Sequence, residues 1–143
     1  RYQFQMDFQG RNTLKGSIEG VKVDLITHNY PLVKPLINIE GVRMATPEDI
    51  AAMKLNAITG NGTRIKDFID IAYLSSSLTL SQMIGAYAEK YAARNPAMVI
   101  KALDYHNDIN FNEPVEMLDE KYRWEDIKKR LEEMTLNPSK LFD

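Results

Sequence analysis

A chain of 143 residues, 44% hydrophobic and 27% charged, has the makeup of one globular domain with a sizeable core. Its formal net charge of −2 argues against a general nucleic-acid binder, because the overall balance exerts no pull on a phosphate backbone, although a local basic patch stays open. The absence of cysteine excludes disulfides and thiolate metal sites and suits a cytoplasmic setting. No apolar run has the length of a membrane span, and no signal peptide is visible.

In chain order, the first 45 residues read as β. Tyr2, Phe4, Met6 and Phe8 alternate with Gln3, Gln5, Asp7 and Gln9, as in a strand already under way, so the chain is expected to begin inside a longer protein. Gly10 and Asn12 mark a turn, and a second strand starts near Leu14. Gly20 breaks or turns it before Val21–Ile26, where Val21, Val23 and Leu25 share one face and Lys22, Asp24 and Ile26 the other. His28 to Pro35 is a loop, and Leu36 to Met44 is a further strand with Gly41 as a bulge or turn.

From Thr46 onward the pattern is α. Thr46 can cap, Pro47 takes the first helical position, and Glu48 and Asp49 suit the positive end of the helix dipole, with Asp49 placed to return a capping-box bond. This helix runs to about Thr59 and stops at Gly60-Asn61-Gly62. A second spans about Arg64 to Ser75. A third opens at Thr79 or Ser81 and ends near Arg94, and Asn95-Pro96 starts a fourth that reaches about Tyr105. His106 to Tyr122 is irregular. The last helix covers about Trp124 to Met134, with Trp124, Ile127, Leu131 and Met134 at stripe spacing.

Three places can carry chemistry. Lys54 falls within an apolar stripe of Ile50, Met53, Ala57 and Ile58, where a lysine must snorkel, pair with an acid or meet a ligand such as a triphosphate. Asp67 and Asp70 are three apart and share a helical face; Asp70 interrupts the run Phe68, Ile69, Ile71, Ala72, where a carboxylate needs a partner. On these residues alone, Asp67 as a first-turn acid and Asp70 paired with Lys54, Arg64 or Lys66 explain the pattern as well as a site does. Asp24 lies mid-strand, where aspartate is disfavoured; it is an exposed acid if its face is solvated and a functional candidate if that face is covered.

Three segments together carry a resemblance: Val21-Lys22-Val23-Asp24-Leu25-Ile26, the run from Thr46 to Ile58 with its Lys54-x-x-Ala57 core, and Arg64-Ile65-Lys66-Asp67-Phe68-Ile69-Asp70-Ile71. In order and spacing they resemble motifs of the AbiEii/AbiGii nucleotidyltransferase family, toxins of type IV toxin–antitoxin systems, over roughly Leu14 to Asn137. The resemblance implies an α+β fold: a partial nucleotidyltransferase palm of short, mostly antiparallel strands over residues 1–45, then a helical region of about five helices over 46–143, packed together as one unit. It implies nucleotide transfer from an NTP with Mg²⁺ to a tRNA or protein acceptor, a cognate antitoxin as partner, and no membrane association. It assigns Asp24 as a metal ligand, Lys54 and Asp67 as catalytic, and Lys54, Arg64, Lys66 and Asp70 as substrate-binding.

One departure bears on activity. The family's first motif, a Gly-Ser turn followed by an acidic pair, has no counterpart here. Gly16-Ser17 is followed only by Glu19 and Asp24, which come too soon and on the wrong strand. The chain is therefore expected to be either a C-terminal piece of the full enzyme or a degenerate member, and to be inactive by itself. The alternative is a non-catalytic module that binds a nucleotide or a partner, and a third reading is a structural domain in which Lys54 and Asp70 are an ion pair. Among weaker signals, Asp104, His106 and Asp108 have metal-like spacing but sit with Asn107 and Asn110, where capping and loop roles fit better. His28 reads as a surface histidine without a visible partner. Lys128, Lys129 and Arg130 read as a solvated helical face, and the methionines as core filler.

Overall fold

The computed structural model describes residues 2–92, 95, 97–117 and 121–143. Five short strands precede five helices, all strand pairs being antiparallel, so the fold is α+β as the sequence implies. The chain divides into two compact units, residues 1–30 and 31–143.

The first unit is a meander of β1 (Phe4–Gly10), β2 (Thr13–Ile18) and β3 (Val21–Ile26), in the order β1-β2-β3. The alternation of Tyr2 to Phe8 does not run through: a register shift between Met6 and Phe8 places a bulge at Asp7. The β2–β3 hairpin closes through Glu19 (φ 50°) and Gly20 (φ 81°), two left-handed residues whose twist matches that of the strands, so Gly20 turns the chain. Gly16 is buried beneath Phe4; a side chain there would run into the Gln5 carbonyl and the Phe4 ring.

The second unit opens with a small hairpin, β4 (Ile37–Ile39) and β5 (Val42–Met44), so the single strand expected over Leu36–Met44 is two. Glu40 (φ 51°) and Gly41 (φ 84°) form its turn, where Asn38 Oδ1 accepts from the Gly41 N–H at 2.9 Å. Then come α1 (Pro47–Asn61), α2 (Ile65–Leu74), α3 (Leu80–Tyr91), α4 (Ala97–Asp104) and α5 (Trp124–Leu136). The change from strand to helix falls at Thr46, as the sequence reads.

Helix ends follow local chemistry. Thr46 caps α1 and Gly62, left-handed at φ 35°, closes it by donating its N–H to the Ala57 and Ile58 carbonyls. Thr79 opens α3 through a complete capping box with Gln82. Helix α3 stops at Tyr91, with Ala92 left-handed, short of the expected end near Arg94. Arg94 itself and the proline of the expected Asn95-Pro96 start lie outside the described residues.

The core joins all five helices around the fully buried Phe68, Leu55, Leu103, Leu131 and Met134. Helix α5 buries Ile127, Leu131 and Met134, the stripe read from sequence, with Trp124 half-buried. Trp124 stands edge-on to Phe68, His106 and Phe111, with centroids 5.2 to 6.4 Å apart. The buried face of α1 differs from the expected stripe. Ala51, Ala52, Leu55 and Ile58 are buried, whereas Ile50, Met53 and Ala57 are only half so. Ala51 and Ala52 therefore belong to the buried face, and Ile50 and Met53 lie at its edge.

Candidate functional site

Lys54 sits on the flank of α1, side chain 26% exposed, facing the first two turns of α2. Its ammonium donates to Asp67 Oδ1 at 2.9 Å and lies 2.6 Å from Asp70 Oδ2. The spacing explains the pair: carboxylates three positions apart on α2 present adjacent oxygens to one cation. The two acids differ in setting. The Asp67 side chain is 4% exposed and that of Asp70 46%, so one is fixed in the core and the other stands half in water. Burial works to lower the Lys54 pKa, but the hydrogen bonds and charges of Asp70 and Asp67 outweigh it and hold the ammonium above its ordinary value of 10.5.

Arg64, just before α2, places Nε 4.0 Å from Asp67 Oδ2. Lys66, in the first turn of α2, lies 3.7 Å from Glu113 Oε1. These cations open onto a cleft of about 370 Å³ lined by Lys54, Arg64, Lys66, Ile69 and Asp70 on one side and by residues 114–117 on the other. The far wall is held to the α1–α2 loop by the Asn110 N–H bonded to the Thr63 carbonyl at 2.8 Å. Five of the six residues singled out in the sequence, Lys54, Arg64, Lys66, Asp67 and Asp70, thus converge. Asp24 belongs to the first unit. There it sits opposite Lys15 in the β2–β3 register, with Lys15 Nζ 3.9 Å from its Oδ2.

A magnesium ion takes about six oxygen ligands in near-octahedral array. Asp67 and Asp70 both face Lys54, and no group of three or more His, Cys, Asp or Glu side chains that could hold a metal occurs among the described residues. These residues do not make up a magnesium site.

A second ionic cluster escaped the sequence reading. Asp49 is fully buried and pairs with the fully buried Lys90 of α3, Nζ–Oδ1 2.6 Å. Its carboxylate also accepts the Val33 and Lys34 N–H groups, each at 3.1 Å, while Lys90 donates to the Pro31 carbonyl at 2.7 Å. The expected capping-box bond from Asp49 back to the Thr46 backbone is not made. Instead the Asp49 N–H donates to the Thr46 hydroxyl, whose Oγ1 lies 3.3 Å from Asp49 Oδ2. Burial pushes the Asp49 carboxyl up, but Lys90 and the two backbone donors prevail and hold it below its ordinary value of 3.8. With every oxygen engaged inside the fold, the cluster is structural. A helix-start aspartate was its only sequence signal.

The weaker candidates resolve as follows. His106 shares 2.6 Å with the Leu103 carbonyl near the end of α4 and packs on Phe68 and Trp124, consistent with a loop and capping role, whereas Asp104 reaches α5 and accepts from the Thr135 hydroxyl at 3.1 Å. His28 is exposed as expected, but its ring lies 5.3 Å from Tyr30. Arg130 corrects the expectation of a solvated face: it donates to Ser75 Oγ at 3.1 Å and lies over the Phe142 ring at 4.8 Å. Lys128 is exposed, as expected of a solvated face, and lies 3.8 Å from Glu132.

The family described as "Nucleotidyl transferase AbiEii toxin, Type IV TA system" matches residues 2–142. The chain belongs to the AbiEii family. It is thereby a member of a nucleotidyltransferase toxin family of type IV toxin–antitoxin systems, as the motifs around Asp24, Lys54 and Asp67 imply. This AbiEii chain is also 30% identical over 105 residues to an uncharacterized protein, aq_aa25, of Aquifex aeolicus (strain VF5). That match takes in 71% of the chain and spans about half the length of the relative. No solved structure matches. No helix among the described residues is long and apolar enough to cross a membrane.

Proposed function

We propose that the α1–α2 cleft is the triphosphate-holding part of an AbiEii nucleotidyltransferase site. The observation that carries this is the Lys54 ammonium, aimed by the buried Asp67 and standing in a cleft that Arg64 and Lys66 also line. A point charge on a fixed stem suits phosphate oxygens, and two further cations serve a chain of phosphates. In the transfer itself, an acceptor nucleophile on a tRNA or protein attacks the α-phosphorus of the NTP, the bond to the bridging oxygen breaks, and pyrophosphate departs. Lys54, Arg64 and Lys66 bind the phosphates that leave. Asp70, half in water, is the acid that a phosphate displaces from Lys54, and it then faces the sugar. Asp67 cannot reach solvent in this arrangement, so the catalytic role expected of it is exercised through Lys54, as a positioning residue.

The metal-binding acids of the family's first motif are not among these 143 residues, so the chain alone holds a nucleotide without transferring it. Mg²⁺ belongs to the complete enzyme in this reading, and a cognate antitoxin and a cytoplasmic setting belong with the toxin role. Both acids of the cleft are turned to Lys54, which also favours a second reading, a module that binds nucleotide without chemistry.

The test is calorimetric titration of the chain with ATP, CTP, GTP and UTP, with and without magnesium, repeated on Lys54→Ala. Binding that weakens at least about tenfold in the variant is expected, since one charge-assisted contact is worth roughly 1.5–3 kcal/mol. Binding that ignores both Lys54→Ala and the metal would remove the cleft from consideration.

A further inference from the structure

We infer that the α1–α2 seam continues beyond the charged cleft into a shelf that takes the base of the nucleotide, with Tyr73 as the stacking surface; this rests on the triphosphate reading above. A second cavity of about 400 Å³ adjoins the first and shares Ile69, Asp70 and Met117 with it. Its remaining apolar lining is Ile50, Tyr73 and Leu74. The change in character follows the helices. One turn before Lys54 on α1 stands Ile50, and one turn after Asp70 on α2 stand Tyr73 and Leu74. The shelf therefore begins about 5 Å along the helix axes from the Lys54–Asp70 contact. That displacement is the size of a sugar between phosphate and base.

Three features fit a base. Tyr73 is 55% exposed although it lies on a helix whose other large apolar residues are buried or half-buried, so its ring offers a face to a ligand. Ile50, Leu74 and Met117 are half-buried and form apolar surroundings for it. Asp70, common to both cavities and half in water, is placed to accept from sugar hydroxyls between the two ends. An occupant with an anionic end, a hydroxylated middle and a flat apolar end matches this order. The Ser77 hydroxyl completes the lining beside the apolar residues.

The experiment compares nucleoside triphosphates with inorganic tripolyphosphate on the whole chain, on Tyr73→Ala and on Tyr73→Phe. Base–aromatic stacking predicts that Tyr73→Ala weakens NTP binding about 5- to 150-fold while tripolyphosphate stays within about twofold, and that Tyr73→Phe restores the NTP affinity. Circular dichroism checks that the exposed substitution leaves the helices intact. Tripolyphosphate binding as tightly as the NTPs, with Tyr73→Ala without effect, would overturn the shelf and leave the charged cleft standing. If the wild-type chain binds neither ligand, both readings fall.

Discussion

Asp67 and Asp70 reach the same ammonium, but only one of them can let go of it. Releasing Asp70 returns a half-exposed carboxylate to water, and pairs of that kind contribute little. Releasing Asp67 would leave a buried charge unpaired. In the proposed site Asp70 competes with a phosphate for Lys54, and Asp70→Asn should tighten tripolyphosphate binding about two- to fivefold. Weaker binding in that variant, read by the same titration, would mean that Asp70 does not compete. The raised Lys54 pKa works the same way across pH. The contribution that comes from the raised Lys54 pKa is complete below 10.5 and is lost only as pH rises through the still higher folded value, so Lys54 stays charged throughout the neutral range. At this scale the sequence was informative about identity and silent about geometry. The spacing of Asp67 and Asp70 made them neighbours, but which of them is buried depends on how α2 packs against α1, and residue spacing along one helix does not carry that.

Among the elements, α1 and α3 are joined by the Asp49–Lys90 pair, which also fixes residues 31–34 through their backbone. Removing one partner strands a charge in the core, so Asp49→Ala should cost about 3–5 kcal/mol in urea unfolding. The double variant Asp49→Ala/Lys90→Met should cost less than Asp49→Ala alone, because no unpaired charge remains; additive losses would show that the pair is not coupled. The lowered Asp49 pKa gives the sign of the pH effect. Its contribution is complete above about 3.8 and disappears as pH falls through the folded value, so the wild type should lose stability there and the double variant less. The ends of α1 were legible because they are local, Thr46-Pro47 and Gly62 each acting on nearby residues, whereas Thr79 and Ser81 were equally placed to start α3 and the bond with Gln82 decides for Thr79. The Asp49–Lys90 pair was not, since its partners lie 41 positions apart and Asp49 had a sufficient local role as a helix-start acid.

In the whole molecule, the α+β order of elements and the family were both readable from the motifs, because Lys54-x-x-Ala57 and Arg64-x-Lys66-Asp67-x-x-Asp70 constrain one another at fixed spacing. Asp24 illustrates where that reading stops. Its strand and its Lys15 neighbour were set by β2–β3 pairing within the first unit, and a carboxylate on a strand names no ligand without others around it. The α1–α2 cleft, by contrast, lies wholly in the second unit. Its identity as a phosphate site is the central claim, and titrating tripolyphosphate into ¹⁵N-labelled chain while following backbone amide shifts tests it most directly. The account predicts saturable shifts concentrated at residues 54, 64, 66 and 70, absent in Lys54→Ala. Shifts concentrated at Lys101 or at Lys128 and Lys129, or the same pattern in Lys54→Ala, would contradict it.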